Sequence, residues 1–491
     1  MKKDIYIIGS GFSALSASCY LAKEGYSVTV LEKNETLGGR ARQYKKDGFT
    51  FDLGPSWYWM PDVFERFFAD FGKKPSDYYV LDKLNPGYEV YFGKNSSLKI
   101  PENLEDIYKV FESEEKGSAK HLKSFLDSAK ANYEIAVLDI VYKPGISPLE
   151  LVTTKTVARV TQFFSNIRKE VRKNIKSSKL IKILEFPVLF LGAKPSNTPA
   201  FYNFMNYADF GLGTWHPRGG MYQVIEGIVS LATSLGVNFE LNANVEKILT
   251  DKKRNVSGLL VNGKTIETTL VLSGADYHHT ETLLDEDLRQ YSEKYWDKKT
   301  FAPSSLLFYV GFDKKIENAS HHTLFFDTDF DLHAEEIYDN PKWPTNPLFY
   351  ANFTSMTDNT SAPEGKEAGF FLIPLAPGIE DTEELREAYF HKIIDRFEKL
   401  TNQEVKSSII FKRSFCVKDF KDEYNSYKGN AYGMANTLLQ TAFLRPKIKS
   451  SKVNNLYFTG QLTVPGPGVP PALISGKIAS ELIKKINFRG I

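Results

Sequence analysis

Residues 5–14 read Ile-Tyr-Ile-Ile-Gly-Ser-Gly-Phe-Ser-Ala, and this stretch decides the fold of the chain. The four apolar residues predict a strand, Gly9 predicts a tight turn, and the residues from 12 to 24 predict a helix. A second apolar run, residues 28–31, ends on Glu32, which stands 21 residues after Gly11. A strand, a glycine turn, a helix and a strand closed by an acid form the pattern of a dinucleotide-binding unit.

Each residue of this motif has a predicted task. Gly9 permits the tight turn, and Gly11 lets the backbone approach a pyrophosphate. Ala14 stands where a third glycine is common and keeps the helix close to the strand. The pyrophosphate would lie at the helix N-terminus, where free N–H groups favour an anion, and Glu32 would meet a ribose hydroxyl. Ser10, Phe12, Ser13 and Lys33 complete the predicted nucleotide contacts. The alternative, a tight turn without a ligand, explains the motif less well because strand, helix and acid all stand in place.

The residues after Glu32 point to the cofactor. Residues 37–42 read Leu-Gly-Gly-Arg-Ala-Arg. Here the sequence resembles the flavoprotein superfamily that includes amine oxidases and carotenoid desaturases. In that family an acid followed by Gly-Gly-Arg implies FAD rather than NAD. The resemblance therefore implies a Rossmann-like FAD-binding domain, with Gly38, Gly39 and Arg40 at the cofactor and Arg42 as a second arginine facing the phosphates.

The same resemblance supplies further cofactor contacts along the chain. Asp52-Leu53-Gly54-Pro55 resembles the family's turn beside the flavin ring. Residues 242–248 resemble a strand whose valine backbone meets the adenine, and residues 271–276 resemble the closing strand of the nucleotide lobe. The residues implied by these segments are Gly54, Pro55, Ser56, Val245 and Gly274.

The C-terminal segment carries a second strong signal. Residues 464–471 read Val-Pro-Gly-Pro-Gly-Val-Pro-Pro, in which glycines allow close backbone approach to a ligand and prolines stiffen the loop. A helix beginning near Ala472 would direct its N-terminus at the loop and stabilise the negative charge of a reduced flavin. We expect Gly460, Gly468 and Val469 to contact the cofactor. The alternative is a stiff connector without a ligand.

The C-terminal residues indicate which branch of the superfamily the chain resembles. Residues 455–470, Ser475-Gly476 and residues 437–446 resemble the bacterial-type phytoene desaturases, which are FAD-dependent carotenoid desaturases. The resemblance covers nearly the whole chain, with one departure at Ser13-Ala14, where many phytoene desaturases carry Gly-Gly. It implies that C=C bonds are introduced into an acyclic carotenoid or its end group. Phytoene desaturation and 3,4-desaturation of a 1'-hydroxycarotenoid both stay open, and the family also holds some isomerases.

Length and composition fit a large α/β enzyme with several lobes. A chain of 491 residues exceeds one ordinary core. We predict a mixed α/β fold in which an FAD-binding domain is built from 1–75, 215–290 and 413–491. Residues 76–214 would form a helical, membrane-facing entry region, and 291–412 a substrate-binding domain with a sheet. The aromatic content of 14% suits either large cores or an apolar substrate channel.

Charge, cysteine and histidine content limit the partners, metals and cellular compartment that we expect. A net charge of +2 gives no general attraction to nucleic acid, so we expect no such partner. Cys19 and Cys416 form neither a disulfide framework nor a metal-ligand pattern, and the chain suits a reducing, cytoplasmic compartment. The opening Met-Lys-Lys is better explained by a strand than by a secretion signal. The pairs His278-His279 and His321-His322 lack further ligand spacing, so we expect no metal.

A basic amphipathic segment lies near residues 163–182. Phe163, Ile167, Val171 and Ile175 repeat every four residues, while basic residues dominate the other face. Such a helix can lie on an anionic membrane, which would make the protein peripherally membrane-associated. A surface helix docked on its own core is an equally good explanation.

The expected chemistry removes a hydride and a proton from a carbon chain. Flavin accepts hydrides, and the protein must align the chain and exclude water. No strong base is required, because a polyene spreads positive charge. His216, Arg218 and Trp57 are catalytic candidates by family position, and quinone or O2 would accept the electrons. Two alternatives stay open: an amine oxidase of the same superfamily, and an escort protein of the same fold that carries prenyl groups without a flavin.

Overall fold

The N-terminal motif folds as its sequence predicts. In the computed structural model, which describes residues 3–138 and 140–488, the strand Asp4–Ile8 leads into the helix Phe12–Lys23 and then the strand Ser27–Leu31. Gly9 has a φ of 83°, and its N–H donates to the Leu31 carbonyl at 2.7 Å. Only glycine adopts this left-handed conformation readily, so the turn depends on Gly9.

Strands and helices are named here in chain order. The strands are β1 Asp4–Ile8, β2 Ser27–Leu31, β3 Gln43–Lys46, β4 Phe49–Asp52, β5 Leu81–Lys83, β6 Tyr88–Gly93, β7 Ser96–Ile100, β8 Trp215–Pro217, β9 Asn238–Glu240, β10 Val245–Thr250, β11 Val256–Val261, β12 Lys264–Glu267, β13 Val271–Ser273, β14 Ser304–Phe312, β15 His322–Phe325, β16 Phe349–Asn352, β17 Glu367–Leu375, β18 Ile409–Phe415 and β19 Leu456–Phe458. The α-helices are α1 Phe12–Lys23, α2 Pro61–Ala69, α3 Leu104–Glu114, α4 Ser118–Leu138, α5 Thr154–Val157, α6 Val160–Phe164, α7 Ile167–Asn174, α8 Ser178–Glu185, α9 Phe204–Asn206, α10 Tyr222–Ser234, α11 Tyr277–Thr282, α12 Glu293–Asp297, α13 Phe330–Tyr338, α14 Glu383–Thr401, α15 Val417–Tyr424 and α16 Val469–Phe488.

A five-stranded parallel sheet forms the nucleotide half of the molecule. Its order is β19-β13-β1-β2-β9, so the strand that begins the chain lies in the centre. Helix α16 crosses α1 closely, since a Cβ on Gly476 would lie 2.3 Å from the Ser13 carbonyl oxygen. The antiparallel sheet β10-β11-β12 stands beside it. This arrangement directs the carboxyl ends of β1, β2 and β13 towards one common cavity.

A seven-stranded sheet forms the second half, in the order β18-β14-β17-β16-β15-β6-β7. The prediction of a helical region over 76–214 was incomplete, because this segment contributes β6 and β7. Their hairpin turns at Asn95, which has a φ of 60°. Strand β18 also extends past 412. The domain boundaries given above stay a prediction.

The basic segment 163–182 is not one amphipathic helix. Instead it is divided among α6, α7 and α8, and Ile167, Val171 and Ile175 are buried in the protein's own core. Arg172 donates to Glu185 at 2.8 Å. The alternative of a surface helix packed on the protein's own core therefore describes this segment. Ile167, Val171 and Ile175 are buried in that core and cannot contact a membrane. Among the described residues, no helix is both long and apolar enough to cross a bilayer.

Candidate active site

One cavity of about 620 Å³ connects the two halves of the molecule. All the residues predicted to bind the cofactor line it except Ala14 and Arg42. Ala14 is fully buried behind the cavity wall, where a Cβ on Gly274 would lie 2.7 Å from its own Cβ. Ala14 therefore sets the distance between helix and strand, as the sequence predicts.

Glu32 is held at the nucleotide end of this cavity. The side chain is 4% exposed, and its Oε2 accepts hydrogen bonds from the Ser10 amide at 3.0 Å and the Ser10 hydroxyl at 2.5 Å. The amide of Asn34 donates to Oε1 at 2.9 Å. These donors fix the carboxylate where β2 ends, which is the place for a ribose contact. Val245, at the start of β10, lines the same end.

The middle of the cavity suits a pyrophosphate. A Cβ on Gly11 would meet nothing within 4 Å, so the space before α1 is open to a ligand. The Arg40 guanidinium lines this space, and its Nε has no partner among the described residues. Burial lowers the pKa of Arg40, and the Asp276 carboxylate acts in the opposite direction. Arg42 does not line the cavity and pairs with Glu423 instead.

The turn after β4 is packed too tightly for any side chain at Gly54. A Cβ there would lie 2.1 Å from the Arg40 carbonyl oxygen. Asp52, just before the turn, accepts hydrogen bonds from the amides of Met221 at 2.7 Å and Tyr222 at 3.1 Å. Burial raises the pKa of Asp52 to about 6. The turn and the N-terminus of α10 are thereby joined behind Gly54, Pro55 and Ser56.

The C-terminal loop closes the cavity on the opposite side. Gly466 and Gly468 have φ values of 130° and 116°, which glycine tolerates and other residues rarely do. The helix α16 begins at Val469, three residues before the predicted start, because prolines fit the first turn of a helix. Pro470 and Pro471 have no N–H groups, so this helix end acts through its dipole and the Val469 amide.

Arg445 anchors this loop through hydrogen bonds. The fully buried guanidinium donates to the carbonyl oxygens of Met434 at 2.8 Å and Gln461 at 3.1 Å, and to Asn436 Oδ1 at 2.5 Å. Burial lowers the pKa of Arg445 to about 10. Together, the open space before α1, the unpartnered Arg40 Nε and the glycine loop fit FAD.

A second arm of the cavity is apolar. It leads away from the Gly54 turn between the helices of the 118–211 segment and the seven-stranded sheet. The aromatic residues that line it are Trp57, Trp59, Phe163, Phe186, Phe201, Phe204, Phe326 and Phe330. Such a lining favours an elongated hydrocarbon over a cationic or polar ligand. The aromatic content of the sequence thus contributes to a channel as well as to cores.

Where the two arms meet, a short polar chain is buried. The Tyr350 hydroxyl lies 3.0 Å from Ser56 Oγ and 2.6 Å from His322 Nδ1. The His322 ring stacks on Trp57 with centroids 4.0 Å apart and planes 10° from parallel. Burial holds the pKa of His322 well below its ordinary value, so the imidazole is neutral. Asn352 Nδ2 is 3.3 Å from the same Nδ1, which makes that nitrogen the acceptor for both donors.

The other two catalytic candidates occupy different positions. His216 is buried behind the cavity wall and contacts Asp358 through Nε2 at 3.0 Å. Arg218 is exposed and pairs with Asp82 at 3.0 Å. Neither lines the cavity, whereas Trp57 does. Their positions favour structural roles for His216 and Arg218.

Sequence reasoning missed Tyr350 and His322. They belong to β16 and β15, and no motif marks them in the sequence. The adjacent pair His321-His322 was considered only as a metal site. No cluster of His, Cys, Asp and Glu that could hold a metal occurs among the described residues. Cys19 and Cys416 are both buried and unpaired.

Comparisons with known proteins agree with this geometry. Residues 12–484 match the family described as flavin containing amine oxidoreductase. The sequence is 41% identical over 490 residues to carotenoid 3,4-desaturase of Haloarcula japonica, covering 98% of each chain. It is 31% identical over 493 residues to 4,4'-diapophytoene desaturase (4,4'-diaponeurosporene-forming) of Staphylococcus haemolyticus, covering 97% of this chain and 98% of that protein.

A solved structure shares the fold. An oxidoreductase from Methanosarcina mazei superposes with a TM-score of 0.64 at 16% identity, covering 97% of this chain and 100% of that chain. The mixed α/β fold, the FAD-type cavity and the sequence relatives point the same way. The chain is an FAD-dependent oxidoreductase and belongs to the carotenoid desaturase branch of the flavin-containing amine oxidoreductase family.

Proposed function

We propose that this enzyme introduces a 3,4 double bond into the end group of an acyclic carotenoid. The observation that carries the proposal is the apolar, ring-lined arm that meets the cofactor arm at Ser56 and Trp57. The 41% identity to a carotenoid 3,4-desaturase over nearly the whole chain supports the choice of bond. Phytoene desaturation is the second candidate, supported by the relative named diapophytoene desaturase.

Different residues of the cavity have different roles in the proposed reaction. Bound FAD would supply the acceptor for the hydride. The ring lining orients the polyene and keeps water out, which favours charge separation on a carbon chain. The Tyr350 hydroxyl donates to His322 Nδ1, where the neutral imidazole has its lone pair, and the phenol oxygen can stabilise positive charge that develops on the carbon chain. An amine oxidase would require a polar substrate arm. An escort protein that binds no flavin would leave the buried Arg40 Nε without a ligand to bind.

We further propose that the substrate enters from a membrane through an apolar rim. The rim is defined as the exposed residues Ile146, Leu149, Val152, Val157, Val160, Phe164, Leu438, Leu439 and Leu444. Leu149, Phe164 and Leu439 are 76%, 81% and 77% exposed, which is unusual for large apolar side chains gathered in two segments. Residues next to them in sequence, such as Gly145, Leu151 and Ala442, line the cavity.

The two segments of the rim are joined in the structure. Lys447 Nζ donates to the Gly145 carbonyl at 3.1 Å, and a Cβ on Gly145 would lie 3.3 Å from the Ala442 carbonyl oxygen. A water-insoluble polyene gains nothing by leaving the bilayer through water, so an apolar surface at the cavity mouth suits its transfer. Of the rim residues, Phe164 belongs to the basic segment 163–182 and the others lie outside it.

Two experiments test these proposals. For the activity, the flavin-loaded protein is incubated with lycopene, a 1-hydroxylated lycopene or phytoene, and the products are separated by chromatography with visible spectra. A product with two more conjugated double bonds from lycopene, whose C1=C2 bond joins the conjugated system, or with one more from the end hydroxylated at C1, supports 3,4-desaturation. Conversion of phytoene alone supports the second candidate, and conversion of none rejects both.

For the membrane, the protein is floated with anionic liposomes. Leu149→Ser, Phe164→Ser and Leu439→Ser combined should abolish flotation, because the buried apolar area that drives binding is lost. The matched control combines Leu241→Ser and Ile410→Ser, which change residues 43% and 45% exposed away from the rim. Flotation that survives the rim substitutions rejects the rim.

A further inference from the structure

We propose that Asp358 is a positioning residue that holds the cofactor-facing turn at residues 54–56 and the start of α10 in place, so that FAD stays bound. Asp358 lies in the loop that joins β16 to β17, called the β16–β17 loop below, and it is 3% exposed. It does not itself line the cavity, so it acts through other residues. The inference rests on the FAD dependence of the enzyme and not on which carotenoid bond reacts.

The Asp358 carboxylate accepts four hydrogen bonds. Its Oδ2 accepts from His216 Nε2 at 3.0 Å and from the Gly219 amide at 2.6 Å. Its Oδ1 accepts from the Thr360 amide at 3.0 Å and from the Thr360 hydroxyl at 2.6 Å. Burial would raise the pKa of Asp358, but these hydrogen bonds hold it well below its ordinary value. The group is therefore ionised at neutral pH, and hydrogen bonds to an ionised acceptor are about twice as strong as neutral ones.

The hydrogen bond to Gly219 fixes a segment that would otherwise be flexible. Gly219 and Gly220 have φ values of 90° and 95°, a conformation that glycine adopts readily and other residues rarely do. Because glycine loses more conformational freedom on folding than any other residue, two in succession form a hinge unless other groups hold them. His216 binds the same carboxylate oxygen three residues earlier, so Asp358 holds this hinge at two points.

The hinge adjoins two segments that line the cofactor arm. A Cβ on Gly220 would lie 2.6 Å from Asp52 Oδ2, and Asp52 stands shortly before the turn at residues 54–56. Helix α10 follows the hinge, and its Ile225 Cγ2 would lie 3.3 Å from a Cβ on Gly38. Gly38 and the turn both line the cavity. A shift of the hinge would therefore displace the cavity wall at both places.

The β16–β17 loop also contacts the hairpin that leads into this turn. The Thr50 amide in β4 donates to the Ser361 carbonyl at 2.9 Å. In the turn before β4, a Cβ on Gly48 would lie 3.0 Å from Pro363 Cγ. One loop of the seven-stranded sheet thus supports both the strand before the cofactor turn and the hinge that packs on Asp52. Asp358 supplies the charged group of this support.

Release of FAD measures the positioning without turnover. The flavin-loaded full chain is diluted, and the fluorescence of free FAD is followed with time. Asp358→Asn should release FAD at least about tenfold faster, because the NH2 group of asparagine cannot accept a hydrogen bond and two donors lose their acceptor. Hydrogen exchange at the amides of residues 219–222 should accelerate in the same variant, which would locate the change at the hinge.

Two substitutions of His216 separate positioning from loss of packing. His216→Leu removes the donor and should also accelerate FAD release. His216→Gln should release FAD at nearly the rate of the unaltered protein, since the glutamine amide can donate from nearly the same place as Nε2. Equal release rates in these two variants would contradict a role for the hydrogen bond to Asp358. This comparison also decides the question if Asp358→Asn does not fold with its flavin.

Glu367→Gln is the matched control. Glu367 is a buried carboxylate at the start of β17, directly after the same loop, and it contacts Ser355 and Lys315. Neither of these partners lines the cavity, so the variant should leave FAD release unchanged. Unchanged release in Asp358→Asn, or equally fast release in Glu367→Gln, overturns the proposal and leaves Asp358 as a contact that only joins the two halves.

Discussion

The Tyr350 hydroxyl lies 2.6 Å from Nδ1 of His322, and this pair is the titratable contact at the meeting point of the two cavity arms. Removing the hydroxyl by Tyr350→Phe should slow reduction of the flavin about a hundredfold, because a buried polar group placed beside developing charge commonly contributes about 10²–10³-fold. Single-turnover absorbance at the flavin band measures this step directly. Tyr309→Phe is the control, since the Tyr309 hydroxyl is buried, lacks a partner among the described residues and does not line the cavity. Equal reduction rates in Tyr350→Phe and the unaltered protein would show that the phenol does not stabilise the reacting chain.

Gly11→Ala should separate cofactor binding from folding. A Cβ at this position meets no atom of the folded chain within 4 Å, and the φ of Gly11 is −70°. The variant should therefore be as stable as the unaltered protein, or more stable by about 0.4–1 kcal/mol. Its flavin content should nevertheless fall at least tenfold, because the methyl group occupies the space proposed for the pyrophosphate.

The matched control for this prediction is Gly87→Ala. A Cβ there meets Thr214 Oγ1 at an ordinary 3.5 Å, and Gly87 does not line the cavity. This variant should retain its flavin. Urea unfolding and the absorbance ratio of flavin to protein give both quantities. Full flavin content in Gly11→Ala would contradict the proposed pyrophosphate position.

Glu281→Gln should change how stability depends on pH. Burial raises the pKa of Glu281 to about 7, against an ordinary value of 4.5, although the amide of Gln290 donates to it at 2.9 Å. Between these two pH values the folded state holds a proton that the unfolded state has released. Stability therefore falls as pH rises from 4.5 to 7, by about 3 kcal/mol from this group.

The Glu281→Gln variant has no titrating group at this position, so its stability relative to that of the unaltered protein should increase as pH rises. At pH 4.5 the two proteins should unfold at similar urea concentrations, and at pH 8 the variant should unfold at a higher one. A difference between the two midpoints that stays constant with pH would show that Glu281 titrates near its ordinary value.

Arg445→Met should loosen the C-terminal loop. The substitution keeps the volume but leaves three oxygen acceptors unpaired, on Met434, Asn436 and Gln461. We expect a loss of about 3 kcal/mol or more in the free energy of unfolding, together with partial loss of flavin. Arg254→Met, at a side chain that is 54% exposed, should cost about 0.5 kcal/mol at most. Hydrogen exchange at residues 460–468 would locate the effect, and unchanged protection there would contradict an anchoring role.

The nucleotide half of the fold was predictable because its signals are local. Gly9, Gly11 and Glu32 follow one another within a single strand-turn-helix-strand unit, and the chemistry of each depends on its neighbours in sequence. The C-terminal loop was predictable for the same reason. Its helix began three residues early, since nothing in the pattern forbids proline in a first helical turn.

The substrate arm was not predictable because it is assembled from distant segments. Trp57, Phe186 and Phe326 have no spacing that links them, and their meeting depends on how distant segments pack. The segment 163–182 shows a related difficulty. An apolar stripe looks the same whether it faces a membrane or a protein core, so Ile167 and Val171 could not be assigned by periodicity. The hairpin of β6 and β7 was not predicted, because stronger helical patterns dominate the surrounding sequence.

The order of strands in the nucleotide sheet also has a consequence for biosynthesis. Strand β13 lies between β1, at residues 4–8, and β19, at residues 456–458, so the sheet is completed only when almost the entire chain has left the ribosome. Contacts between such distant segments form slowly, and incomplete chains expose apolar edges meanwhile. Maturation of this enzyme is therefore a post-translational event.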